Sequence, residues 1–178
     1  MATARIYAPL SGYITNMDNG VCNPHSACDG GSKPTDIGAN AYANLYLYSN
    51  GEIRSFYVVH DDACAPGCDP PYPDVVKIHL YNKQNYCCEI GWILFGHVIN
   101  RMAAGGYNYT PSGVKIGNVP PDDESCGYYN GTHSHMEAKA YSGVSLSRGS
   151  YGCNDYVTKG SNTIYKWSFT PSSYCDPC

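Results

Sequence analysis

The chain has 178 residues, enough for one domain with a sizeable core. Only 15% are charged and the net charge is −4, with an isoelectric point near 5.8; with no basic run, this argues against a nucleic-acid or anionic-membrane partner. No apolar run approaches the roughly 20 residues that span a bilayer, and 19 glycines, 12 prolines and 18 tyrosines against 3 phenylalanines favour short strands and many turns.

In chain order, residues 6–14 (Ile-Tyr-Ala-Pro-Leu-Ser-Gly-Tyr-Ile) read as an opening strand with a Pro-Leu-Ser-Gly turn inside it. Residues 15–33 form a polar loop rich in Gly, Asn, Asp and Cys that contains His25, and Pro-Thr-Asp-Ile-Gly-Ala-Asn (34–40) places Asp36 at the entrance to a new strand. Residues 41–48 alternate small or apolar residues with tyrosines. Ser-Asn-Gly (49–51) then predicts a hairpin into residues 52–60. An irregular loop at 61–73 precedes the β-branched run 75–81, which reads as an interior strand. After the Cys87-Cys88 loop, residues 91–100 (Gly-Trp-Ile-Leu-Phe-Gly-His-Val-Ile-Asn) read as another buried strand with His97 near its end. Residues 102–104 have the composition of a helical turn, stopped by the glycines at 105 and 106. Strands are also expected at 114–119, at the His133–His135 stretch and at 163–169. The expected architecture is mainly β: an antiparallel sheet domain with long loops pinned by disulfides.

The ten cysteines, an even number scattered through Gly/Pro-rich loops, read as up to five disulfides in an oxidising compartment, so the protein is expected to be secreted. A zinc ribbon would need two C-x-x-C pairs, and only Cys175–Cys178 has that spacing. Two sequons, at Asn108 and Asn130, fit a secreted eukaryotic chain. The first residues lack the apolar core of a signal peptide, which is expected to have been removed.

Chemistry concentrates in Gly-Thr-His-Ser-His-Met-Glu-Ala (131–138). On a strand, residues i and i+2 project to the same face, so His133 and His135 point the same way. Two imidazoles on a rigid strand suit a metal site, or a metal ligand beside an acid/base group.

Several segments then resemble, in order, the lysostaphin-type (LytM-type) zinc metallopeptidases, which cut peptide bonds of bacterial peptidoglycan. The 131–138 stretch is similar to that family's His-x-His motif, and Ile-Leu-Phe-Gly-His-Val (93–98) to its Tyr-Ala-His-Leu strand. Residues 34–39 resemble the segment around its ligand aspartate, 49–53 its hairpin, 114–119 its Gly-x-x-Ile-Gly stretch and 9–15 its entry segment. The resemblance covers about residues 6–141 of a single domain, 1–178, and leaves 142–178 as a Cys-containing C-terminal extension. It implies a zinc cofactor held by Asp36 and His135, with His97 and His133 handling protons and steadying the transition state. Metal-bound water has a pKa near neutrality, one imidazole can take its proton, and another can stabilise the oxyanion.

The chain departs from that pattern at one position. The family's third ligand is a histidine four residues before the aspartate, and here that residue is Ser32. His25 then either completes the site with Asp36, or His25 and Asp29 replace the usual pair, or the site is degraded. The expected activity is secreted zinc endopeptidase action on peptidoglycan cross-bridges or other Gly-rich peptides. The alternatives are a decayed member that binds protein or glycan through the old cleft, and a Tyr- and Cys-rich matrix protein. His79 reads as a satisfied sheet-face histidine and His60 as a loop-edge residue. The tyrosines read as strand formers with polar tips, with an aromatic platform for sugar or peptide as the other reading.

Overall fold

The computed structural model describes residues 2–17, 23–24, 30–61, 74–121, 131–161 and 165–172, and among these it contains strands and no helix. In chain order the strands are β1 (Ala4–Tyr7), β2 (Gly12–Met17), β3 (Asn23–Pro24), β4 (Ser32–Gly38), β5 (Asn44–Ser49), β6 (Ser55–Asp61) and β7 (Asp74–Tyr81). Then follow β8 (Glu89–Val98), β9 (Gly105–Tyr107), β10 (Ser112–Asn118), β11 (His133–Ala140), β12 (Val144–Arg148), β13 (Tyr156–Val157) and β14 (Lys166–Pro171). They form a larger sheet in the order β13-β2-β4-β11-β8-β7-β6-β9, with β3 beside β2, and a five-stranded sheet in the order β10-β5-β1-β14-β12. Every pairing is antiparallel except β2–β3.

Alternation along the strands explains the layering. In β11, Met136 and Ala138 belong to the shared core while His133, His135 and Glu137 take the opposite parity. In β8, Ile93 and Phe95 likewise join the shared core, and Trp92 and Leu94 form a separate cluster with Val75. The shared core is closed from the five-stranded sheet by Ile6, Leu45, Leu47, Trp167 and Phe169. At its centre Tyr165 stacks on Tyr151 with ring centroids 4.8 Å apart, and the Trp167 indole N–H donates to the Tyr151 hydroxyl at 2.9 Å. Each of these large side chains, fully buried, contributes about 1.5–3 kcal/mol. β12 and β14 are thus integral to the second sheet, where β14 lies between β1 and β12, and β13 extends the larger sheet beside β2.

Three local expectations are corrected. The 6–14 segment is two strands in different sheets, β1 and β2, and the Pro-Leu-Ser stretch carries the chain from one sheet to the other. The Ser-Asn-Gly turn at 49–51 likewise joins β5 and β6, which lie in different sheets, and does not close a hairpin. Asn50 explains this: its carbonyl oxygen accepts from the Arg5 N–H at 2.9 Å and its amide donates to the Thr3 carbonyl at 2.8 Å, so the turn is captured by β1. Residues 102–104 form no helical turn, and the glycines at 105 and 106 open the edge strand β9. None of the described cysteines, Cys87, Cys88 and Cys153, is a free thiol; the other seven lie outside the described residues.

Candidate active site

Four strands meet where β11 lies between β4 and β8, and β2 flanks β4. Register places Asp36 opposite His135 on one side and opposite Asn16 on the other, and His135 opposite Gly96. Side chains directly across an antiparallel pair share a face, so Asn16, Asp36 and His135 form a row. His133 lies one pleat along β11 on the same face.

The row is buried: Asp36 is 1% exposed, His135 3% and His133 8%. A buried carboxylate has to be compensated by donors or cations. The Asp36 Oδ1 is 3.0 Å from His135 Nδ1, and its Oδ2 accepts from the Asn16 amide at 2.8 Å and lies 3.6 Å from His133 Nε2. His133 Nδ1 is 2.7 Å from the Gly131 carbonyl oxygen. A carbonyl can only accept, so Nδ1 carries a proton and Nε2 faces Asp36. Should Nε2 gain a proton, the Asp36 carboxylate is the counter-charge beside it.

His97 reaches this face through a break in strand regularity. Strict alternation from Phe95, which is in the core, would turn residue 97 inwards. Between Val76↔Phe95 and Asp74↔Val98, however, β8 uses one more residue than β7, and His97 sits at φ +57°. That is a β-bulge, a device that re-aims a side chain and concentrates near functional sites. Val98 returns to the core and the His97 ring lies 4.9 Å from that of His133 and 6.3 Å from that of His135, near perpendicular to both. A non-glycine residue held in left-handed backbone costs on the order of 1–3 kcal/mol and marks a site where strain is retained.

Gly96 is needed for a different reason. A Cβ there would lie 3.2 Å from both Cβ and Cδ2 of His135, so the absence of a side chain lets the imidazole lie against β8. On the far side of His135, the fully buried Glu137 carboxylate accepts from the Gly31 N–H at 3.1 Å.

Of the residues singled out from sequence, Asp36, His97, His133 and His135 are brought together, with Asp36 inside β4 and not at its entrance. His25, and with it Cys22, Cys28 and Asp29, lies outside the described residues. Ser32 is exposed and its hydroxyl donates to the Ala138 carbonyl at 3.2 Å. The cause is a second bulge: Lys33 sits at φ +55°, and β4 uses three residues from Thr35 to Ser32 where β11 uses two. Ser32 therefore pairs with Ala138, a core-parity residue, and loses the face it would otherwise share with Asp36. His60 Nε2 donates to the Met102 carbonyl at 2.8 Å, and His79 pairs with Glu89 on the sheet face. Asn16 and Gly96 were not singled out from sequence, since both act through register partners that no local motif announces.

Zinc fits the donor chemistry of Asp36 and His135, one carboxylate oxygen and one imidazole nitrogen facing each other at 3.0 Å. Two ligands of a tetrahedral zinc stand about 3.4 Å apart. Among the described residues no group of three His, Cys, Asp or Glu side chains is arranged to hold a metal. The pair is two-thirds of the implied set. No protein-family profile, curated protein or solved structure matches this chain.

Proposed function

We propose that the protein is a secreted zinc metalloendopeptidase of the lysostaphin-type kind, acting on peptidoglycan cross-bridges or other Gly-rich peptides. The observation that carries this reading is one buried carboxylate, Asp36, shared between His135 and His133, with His97 turned onto His133 by a strained bulge. Asp36 and His135 would hold zinc, with His25 as the third ligand. Bound there, zinc would supply a Lewis acid for the scissile carbonyl and a water acidified towards neutrality.

The chain's own groups divide the rest of the work. His133 is pre-set by Gly131 to receive a proton at Nε2, and Asp36 stabilises the resulting cation. Asn16 holds Asp36 Oδ2 in place, leaving Oδ1 directed at His135. His97 is the donor for developing negative charge on the substrate. An extracellular setting agrees with the absence of free thiols among the described residues.

The exposed, core-parity position of Ser32 favours a second reading, a decayed member of the same kind that binds a protein or glycan ligand through this cleft. Zinc stoichiometry by elemental analysis, paired with hydrolysis of pentaglycine, separates the two. The peptidase reading expects about one zinc per chain. His133→Ala then keeps the metal and loses turnover, whereas Asp36→Ala loses both. Protein prepared with excess zinc that holds none and cuts nothing rejects it.

A further inference from the structure

A second cluster lies on the same face of the larger sheet, away from Asp36 and His135. Register lines up Tyr57, His79 and Trp92 across β6, β7 and β8, and Ser55, Tyr81 and Glu89 in the next row. From His135 to Lys139, the residue opposite Trp92, is four residues of strand, about 13 Å. The cluster therefore has no residue in common with the candidate active site, and a role for it is independent of the zinc chemistry assigned there.

The aromatic part of the cluster is exposed and rigid at once. Tyr57 is 42% and Tyr86 36% exposed, although tyrosine rings ordinarily lose surface when a sheet face packs. Tyr86 meets Tyr57 edge-on at 5.9 Å and Tyr81 at 5.8 Å. The turn between β7 and β8 holds Asn85, Tyr86 and Cys88 at φ +56°, +58° and +61°. Three non-glycine residues in left-handed backbone within four positions persist only where the surroundings over-determine them. Those surroundings are visible: the Tyr86 N–H donates to Ser55 Oγ at 3.2 Å, the Asn85 N–H to Asn108 Oδ1 at 2.6 Å, and Ser55 Oγ to the Lys83 carbonyl at 2.6 Å. Gly106 completes the seat, since any Cβ there would run into the Tyr86 phenol.

Beside the rings sits a polar network of planar groups. Glu89 pairs with His79 Nδ1, and burial together with the Glu89 charge pushes the Tyr81 and Tyr141 hydroxyls up. Lys77 lies over the Trp92 ring, 5.1 Å from its centroid. The described charges around the rings are Glu89 and, spread about it, Lys77, Lys83 and Lys139. Exposed aromatic faces flanked by fixed hydrogen-bonding groups match a polyhydroxylated ring: C–H faces lie on tyrosine and hydroxyls meet the carboxylate and imidazole.

The geometry points to a saccharide-binding site here, in which Tyr57 and Tyr86 seat the apolar face of a pyranose and the His79–Glu89 pair takes its hydroxyls. Because the rings are already fixed, binding loses little side-chain entropy.

The test titrates the full chain, uniformly 15N-labelled, with cellotetraose and with chitotetraose to about 10 mM. Saturable shift changes are expected in β6, in β9 and in the turn at 82–88. Tyr57→Ala and Tyr86→Ala should each weaken binding about three- to tenfold, Tyr57→Phe should bind nearly as well as the parent, and Glu89→Gln should weaken it without loss of fold. No saturable shift with either sugar overturns the site, as does binding whose shifts map to β11 around His133 and His135. Unchanged affinity in a folded Tyr57→Ala or Glu89→Gln chain also overturns it.

Discussion

Gly96→Ala tests the construction of the candidate active site most directly. Gly96 has an ordinary φ, so alanine meets no backbone strain there, and the substitution alone would stabilise the fold by about 0.4–1 kcal/mol through the unfolded chain. Against this, the new methyl would stand 3.2 Å from His135 Cβ and Cδ2, where carbon atoms rest at about 3.5–4.0 Å. One of them has to move by roughly 0.3–0.8 Å. His135 is 3% exposed and held by Asp36 on its other side, so the site has little room to yield. Overpacking of this kind costs about 1–3 kcal/mol, which leaves a net loss of about 0–2.5 kcal/mol. Displacing the imidazole proposed to hold zinc by this much is expected to lower zinc affinity about 10- to 100-fold. Urea unfolding gives the first quantity and competition with a chromophoric chelator the second. In a His135→Gly background, which removes Cβ along with the ring, the same substitution should become neutral or stabilising, a coupling of about 1 kcal/mol or more. Equal cost of Gly96→Ala with and without the His135 ring would refute the claim that the glycine exists to seat that imidazole.

Three further outcomes rest on particular residues. Ser32→His should leave zinc affinity unchanged, because the Lys33 bulge gives position 32 the parity of Ala138; a large gain measured by isothermal titration would contradict that register. Burial, with the Glu89 charge and hydrogen bond, pushes the Tyr81 hydroxyl up to about 12. The folded state therefore holds this proton more tightly than the unfolded chain, so its contribution is whole below pH 10 and lost as pH climbs towards 12. Urea midpoints should fall across that window, less steeply in Tyr81→Phe, and midpoints that rise there would refute the assignment. Ending the chain at residue 141 should abolish folding, read by far-UV dichroism and chemical-shift dispersion, because it strips the buried Tyr165, Trp167 and Phe169. Losses of about 3–5 kcal/mol for each large ring, about 9–15 kcal/mol for the three, are as large as the whole stability of a typical domain, about 5–15 kcal/mol.

Local pattern announced the interior strands well. The β-branched run at 75–81 and the apolar run at 91–100 became β7 and β8, and the i, i+2 spacing of His133 and His135 gave their common face. What local pattern missed depends on which strands become neighbours. The Ser-Asn-Gly turn carries the usual hairpin residues, yet Asn50 is drawn to the backbone of β1, more than forty residues earlier. Strict alternation would have sent His97 into the core and kept Ser32 beside Asp36. Two bulged residues, neither a glycine, reverse both outcomes. Asn16 is invisible as a site residue until β2 pairs with β4.

The position of β14 also sets the order in which this protein can be made. Ala4 pairs with Phe169, so the first strand of the chain waits for nearly the last before its ladder is complete. Until residue 171 has been synthesised, β1 presents an unpaired edge and the aromatic floor of the core is missing. Pairings this distant in sequence close slowly, with large loop entropy lost before any contact repays it. The larger sheet contains the Asp36–His135 row and is built of β2, β4 and β6 to β9 with β11 and β13, so most of it precedes residue 141. The candidate-site strands therefore emerge early and exposed, and β12 and β14 act as the step that locks them into a two-layer fold.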